Sequence, residues 1–241
     1  MRDLRLAFRH LCGRSGRDPW HAPVPLDGPP LATPIRVARV TDPDGPALAP
    51  ELAAALASAA AKLREAGFTV EERRAPALAR AAEIYAQIMY RWSRVHEVPP
   101  PVEGLASPSF VRFWEVFDPE FERSRGKEAF DPMMERATIA HAWAELMEDT
   151  PLVLAPIASR PAFRVGEDLE PAFCAEWPAR LRLIVVANLL GLPAVAVPTG
   201  EANGLPHAVQ IIGPRWREDL CLVAAEAIEA RTTTSTPVDP R

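Results

Sequence analysis

Breaking a stable covalent bond calls for a nucleophile beside a base or for a metal held by several ligands, and few stretches of this chain offer either. Gly13-Arg14-Ser15-Gly16 sets a serine between glycines, but the spacing is one residue short of the G-x-S-x-G elbow that would expose a hydroxyl. No phosphate-cradling G-x-x-x-x-G-K-[ST], no G-x-G-x-x-G and no H-E-x-x-H occurs. His141 and Glu145 stand four apart in a helical stretch and could share a metal. Two ligands alone make an incomplete site, so an ordinary surface or core pair is expected, with no metal and no cofactor. Cys174, in Pro-Ala-Phe-Cys-Ala-Glu-Trp, is a candidate nucleophile with no histidine in a motif that would pair with it, and a structural role is expected. His21, His96 and His207 are isolated and are expected to be structural or exposed. Asn188 and Gln210 are amides inside apolar segments. Buried, they need partners, so each is expected to tie its element to a neighbouring strand or loop, not to catalyse.

Composition narrows the classes around these residues. A chain of 241 residues suffices for one large α/β domain or two small ones. A net charge of −5 argues against nucleic acid or an anionic membrane as partner. Three widely spaced cysteines, Cys12, Cys174 and Cys221, without a C-x-x-C, point to reduced thiols in a cytoplasm. No uninterrupted apolar run reaches the roughly 18 residues that suggest a membrane span, and the N-terminus lacks a secretory signal. Lys62 and Lys127 are the only lysines among 27 basic residues.

The elements that must position any site can be read from spacing. Leu4, Ala7, Phe8 and Leu11 fall at i, i+3, i+4 and i+7, an amphipathic helix stopped by Gly13. Residues 18–34 are proline-rich and must be an extended connector. A strand at 35–40, an alanine-rich helix from about Pro50 to the cap Gly67 and a second strand after it make a βαβ unit with parallel strands. Residues 75–97 and 131–149 read as helices, separated by the aromatic, proline-rich stretch 99–117. Trp92, Phe110, Phe113, Trp114, Phe117 and Trp143 gather in this middle region, where helix packing and an apolar ligand pocket both stay open. A buried strand at 151–158 follows, then a helix at 176–190 that is apolar almost all round and expected to be sandwiched inside the protein. Gly-Leu-Pro occurs twice, at 191–193 and 204–206, each time before a short apolar strand. With the turn dipeptide Asn203-Gly204 between them, these strands form a hairpin-like pair, closed by a final amphipathic helix and the surface tail 232–241.

The stretch from Val185 to Glu229 carries the pattern N-x-x-G-L-P-A-x-x-V-P-x-G, then G-L-P-x-x-x-Q-x-I-G-P, and resembles the C-terminal signature of the amidase signature family. Asn188, Gly191, Pro193, Pro198, Gly200, Gln210 and Gly213 are its signature positions here. Residues 2–20 are similar to the segment that follows that family's catalytic core, and 34–42 and 151–158 look like its later strands. The resemblance is weak in the helical middle, a variable region of the family that helps to shape substrate pockets.

Several expectations follow from this resemblance. The fold is α/β, part of an α/β/α sandwich around a large mixed sheet that lacks its N-terminal half. Residues 1–241 make the C-terminal portion of a single amidase domain, with 75–148 the variable helical region and 176–230 the signature helix, strand pair and helix. The family acts on amides through a serine, a second serine on a cis peptide bond, and a lysine. These sit in and before a glycine- and serine-rich loop N-terminal to the part matched here. No catalytic residue carries over: Lys62 and Lys127 do not match the family's lysine context. Trp177, Arg180 and Ile184, one-turn neighbours on the 176–190 helix, are the candidate substrate-lining residues, with packing against the sheet as the open alternative. The expected partner is a small-molecule amide, with a homodimer a further option. A catalytically inert scaffold or a binding component of a larger assembly is the competing function. Met1 takes the place of the valine in the family's S-V-x-D, so translation from an internal GTG codon or a truncated gene is expected. A chain lacking its first half should leave the 176–190 helix and strand edges short of cover. The purified chain is therefore expected to be poorly soluble or molten; a sharp cooperative melt with dispersed near-UV dichroism would overturn that expectation.

Overall fold

Alternation along the strands decides the layers. The computed structural model describes residues 1–19, 21–95, 106–123 and 130–233; Trp20, His96, Lys127 and the tail from 234 lie outside the described residues, as do the side chains of Trp92 and Phe117. In chain order the elements are α1 (Arg2–Leu11), β1 (Arg36–Arg39), α2 (Pro50–Glu65), β2 (Thr69–Glu72), α3 (Leu78–Val95) and α4 (Pro108–Arg123). They continue with α5 (Phe130–Asp149), β3 (Leu152–Pro156), α6 (Pro171–Arg180), α7 (Arg182–Leu190), β4 (Ala194–Ala202), β5 (Leu205–Ile212) and α8 (Glu218–Glu229). Val37, Leu152, Leu154 and Ile211 face one side of the sheet and pack with Leu56, Leu63, Leu220 and Ile228 of α2 and α8. Ala38, Val153, Ala155 and Ile212 face the other side, against Ile84, Trp143, Val186 and Leu190 of α3, α5 and α7. Successive side chains of a strand point to opposite faces, so an apolar run such as Leu-Val-Leu-Ala-Pro requires a helical layer on both sides. The fold is accordingly an α/β/α sandwich.

The sheet has five strands in the order β2-β1-β3-β5-β4. β1 runs parallel to β2, with Val37 opposite Val70, and parallel to β3, with Val37 opposite Leu152. The βαβ unit read from the sequence is present, crossing through α2. β5 then pairs antiparallel with β3 and β4, making the sheet mixed. Asn203 and Gly204 take φ of 55° and 74° at the β4–β5 turn. Two successive positive φ values match the right-handed twist of a tight hairpin, which favours an Asn-Gly pair. The register slips between Pro198 and Gly200, a bulge, and Gly200 there has φ of 133°.

Two expected element boundaries are corrected. The single helix at 176–190 is two helices, broken at Leu181, where φ and ψ are −107° and 8°. Pro178 has no N–H to give to the preceding turn. Two residues later the Arg180 carbonyl accepts from Ser159 N–H (3.1 Å), outside the helix ladder, while Leu181 O starts α7 by accepting from Ile184 and Val185 N–H. The aromatic stretch at 99–117 is also not merely a separator, because α4 begins inside it. Ser107 Oγ accepts from Phe110 N–H at 3.2 Å and Pro108 opens the first turn, a start signal that the neighbouring prolines obscured.

α7 buries Leu183, Val186, Ala187, Leu189 and Leu190, and ends at Gly191, whose φ of 65° is left-handed. Leu192 N–H closes that end onto Ala187 O at 3.0 Å. Asn188 is exposed, and its amide donates to Ile184 O within the same helix at 3.3 Å, so it does not tie α7 to a strand or loop. Gln210 is buried, and its Nε2 donates to the Pro156 carbonyl at the end of β3 at 2.9 Å. α1 rests on α8 through the Met1 ammonium to Glu229 (2.7 Å) and Arg5 to Glu226 (3.0 Å). Its apolar stripe stays largely uncovered: Leu4 is 46% and Leu11 82% exposed.

Gly213 lies where β5 meets the start of α8. A Cβ added there would stand 2.7 Å from Cys221 Sγ and 3.4 Å from Arg217 O. Gly213→Ala is expected to cost about 1–3 kcal/mol by overpacking, and Cys221→Ala in the same chain is expected to recover much of it. Urea melts of the single and double variants check this. A loss indifferent to residue 221 would rule out the steric cause.

Candidate functional site

Because β1 and β3 are parallel, their C-terminal ends lie at one edge of the sheet, where open α/β folds hold ligands. β5 and β4 run the other way relative to each other, so Pro206, His207 and Ala208 from the start of β5 and Pro198 from β4 reach the same region. α6 and the loop after β3 close over it. Two clefts result, sharing Ala158 and Arg180 as a common wall.

The first cleft has a volume of about 430 Å³. Its wall carries an aromatic trio in mutual contact: the Phe163, Phe173 and Trp177 rings lie 5.1–5.2 Å apart, centre to centre, in tilted or edge-on arrangements. The Arg180 guanidinium sits 4.9 Å above the Phe173 ring and pairs with Glu176 at 2.6 Å. Across the cleft, His207 Nδ1 shares a hydrogen bond with Thr199 Oγ1 at 2.9 Å. The chemistry on offer is recognition. A flat apolar group would meet aromatic faces on one side and a histidine on the other.

The second cleft, of about 420 Å³, is lined by Arg39, Thr41, Asp42, Ser159, Arg180 and Arg182 among others. Arg182 holds the loop after β1 by donating to Asp42 Oδ2 (3.3 Å) and Asp44 O (3.1 Å).

Of the residues singled out from the sequence, Trp177 and Arg180 line the first cleft. Ile184 does not: the break at Leu181 puts it on α7, half-buried and outside the lining of both clefts. Pro198 reaches the first cleft, Gly200 forms the bulge beside His207, and Gly191, Pro193, Gln210 and Gly213 shape the ends of α7 and β5. Cys174 is fully buried, its thiol donating to Asp168 O at 3.2 Å. His141 and Glu145 pair at 3.3 Å in open solvent, 78% and 69% exposed. Lys62 Nζ donates to Thr232 Oγ1 at 2.8 Å, near the opposite end of α2 from cleft-lining Leu52 and about 15 Å along its axis. Among the described residues no group of three His, Cys, Asp or Glu could hold a metal, and no helix is long and apolar enough to cross a membrane. Phe163, Phe173, Arg160 and His207 were not foreseen as lining. The one signal available was their position just beyond a parallel strand's C-terminal end or opposite it.

The family model for Amidase matches residues 1–222. The chain belongs to the amidase family. This amidase chain is 34% identical over 232 residues to the indoleacetamide hydrolase of Bradyrhizobium diazoefficiens, covering 95% of the chain and 44% of that protein. A shorter match, 40% over 88 residues, covers 36% of the chain and 18% of a glutamyl-tRNA(Gln) amidotransferase subunit from Streptococcus equi subsp. zooepidemicus. Among solved structures, 6-aminohexanoate cyclic dimer hydrolase complexed with substrate superposes with a TM-score of 0.65 at 26% identity, over 90% of this chain and 50% of that one. A glutamyl-tRNA(Gln) amidotransferase subunit from Thermotoga maritima shares the fold with a TM-score of 0.62 at 23% identity, over 83% of this chain and 43% of that one. The amidase chain thus spans about half the length of the long relatives it matches.

Burial pushes the Cys221 thiol up to about 12, with the Glu218 and Asp219 carboxylates adding to the effect. A thiol is nucleophilic only as thiolate. At pH 8, disulfide-exchange labelling of the folded amidase chain is therefore expected to modify half-buried Cys12 quickly and to leave Cys174 and Cys221 until unfolding. Fast labelling of Cys174 would instead mark it as a reactive nucleophile.

Proposed function

We propose that these residues form the substrate-binding portion of an enzyme that hydrolyses the C–N bond of a small aromatic amide to a carboxylate and ammonia. The observation that carries this reading is the aromatic cleft at the C-terminal edge of the sheet, walled by Phe163, Phe173 and Trp177. The flat ring of an arylacetamide such as indoleacetamide fits that wall in kind. The long matches to indoleacetamide hydrolases support the same substrate class.

In this reading the reacting groups come from outside these 241 residues, as the family resemblance implies. A serine oxygen attacks the amide carbon, assisted by a second serine that passes its proton toward a neutral lysine. The C–N bond then breaks, the departing nitrogen takes up the proton as ammonia, and water cleaves the acyl-serine to the acid. The present chain contributes position: its aromatic wall holds the ring so that the amide lies toward the incoming serine. The exposed Ala194, Ala196 and Pro198 face of the edge strand β4 and the bare stripe of α1 are surfaces that the remainder of an amidase domain would cover. No cofactor is required.

The test measures ammonia released from indole-3-acetamide, phenylacetamide and glutamine. It compares the chain alone with the chain co-expressed with the first half of an indoleacetamide hydrolase. The chain alone is expected to be inactive and the pair to favour the aromatic amides. Trp177→Ala in the pair is expected to raise KM about tenfold with little change in kcat, the scale of one lost aromatic contact. Turnover by the chain alone, a preference for glutamine, or a Trp177→Ala variant with unchanged KM would each count against the proposal. A stable but inert pair would favour the scaffold reading.

A further inference from the structure

We propose that the second cleft is a separate anion subsite, built to take a carboxylate or phosphate group. It is assembled from three distant segments: Arg39 and Thr41 at the end of β1, Ser159 after β3, and Arg180 and Arg182 at the junction of α6 and α7. Three guanidinium groups stand against one lining carboxylate, Asp42, which is committed to Arg182 at 3.3 Å.

The other two arginines have acidic partners that lie toward solvent. Arg39 pairs with Glu72 at 2.6 Å and Arg180 with Glu176 at 2.6 Å, but Glu72 and Glu176 are 64% and 62% exposed, against 26% and 13% for the arginines. Water screens an exposed carboxylate, so the positive charge on the inner side is only partly compensated.

Hydrogen-bonding capacity tells the same story. Arg39 Nε, Arg180 Nε and Ser159 Oγ are buried and have no hydrogen-bond partner among the described residues. Buried donors are seldom left unpaired, and three on the residues of one cleft is an unusual concentration. What they lack in common is an acceptor. Guanidinium N–H groups and a hydroxyl together suit the oxygens of a carboxylate or phosphate, where each bond is strengthened by charge. The loop 41–48 that roofs the cleft is pinned rather than loose: Gly45 N–H donates to Asp42 O at 3.2 Å, and the Asp42 carboxylate packs so close to Gly45 that a Cβ there would clash. A preformed roof lowers the cost of ordering on binding. The first cleft offers no such set, being walled chiefly by aromatic and aliphatic groups.

The test is calorimetric titration of the chain co-expressed with the first half of an indoleacetamide hydrolase, using inorganic phosphate and, separately, acetate and succinate, each against chloride at equal ionic strength. Saturable binding at one site is expected for phosphate or for the carboxylates, and which series binds identifies the group. Ser159→Ala and Arg180→Gln are each expected to weaken binding about tenfold, the scale of a charge-assisted hydrogen bond. Arg160→Gln, a neighbouring cation that lines only the first cleft, should leave it unchanged. Absence of saturable binding for both series overturns the proposal, and so does an Arg160→Gln loss equal to that of Arg180→Gln, which would signal diffuse attraction. Near-UV dichroism checks folding, and if Arg180→Gln is unfolded the conservative Ser159→Ala decides. Because the readout is binding of simple anions, failure here leaves the amide-hydrolysis reading intact, and failure of that reading leaves this one intact.

Discussion

β3 has no polar face, and that constraint organises the molecule. All five residues from Leu152 to Pro156 are buried, so the strand is stable only with a helix layer on each side and a partner strand along each edge. β1 and β5 provide the edges, α2 and α8 one cover, α5 and α7 the other. Where the strand ends, Pro156 leaves a carbonyl that the Gln210 side chain satisfies from the neighbouring strand. Beyond that point the chain is released from the sheet, and both clefts open there. The site is thus a by-product of where burial stops.

Much of this was legible in the sequence because it rests on short-range rules. A strand, helix and strand within about 35 residues implied parallel pairing, and the parallel β1–β2 pair is present. Asn203-Gly204 between two apolar runs implied the hairpin, and the positive φ at both residues supplies the reason. The break inside 176–190 escaped notice because hydrophobicity continues through it. What ends α6 is a donor recruited from the far side of β3, and nothing local announces that Ser159 N–H will claim Arg180 O.

The site was legible only in part, for the same reason. Trp177 and Arg180 could be found because they lie on one predicted helical face. Ile184 was grouped with them by a helical period that the real chain interrupts. Phe163 and His207 of the first cleft, and Arg39 and Ser159 of the second, are pairs far apart in sequence that only the strand order brings together. Asn188 shows the opposite limit. Its place in an apolar helix suggested burial, yet it stands on the open side and bonds to its own helix.

The interruption at Leu181 has a consequence for how this architecture can vary. α7 is anchored in the core beside β3, whereas the inward residues of α6 belong to a small separate cluster of Cys174 with Val116, Phe113 and Trp177. Substitutions in clusters that share no partners act nearly independently on stability. The residues of α6 that line the first cleft can therefore be exchanged at little expense to the fold that α7 holds. The shape of the cleft and the stability of the core rest on two adjacent helices that answer to different neighbours.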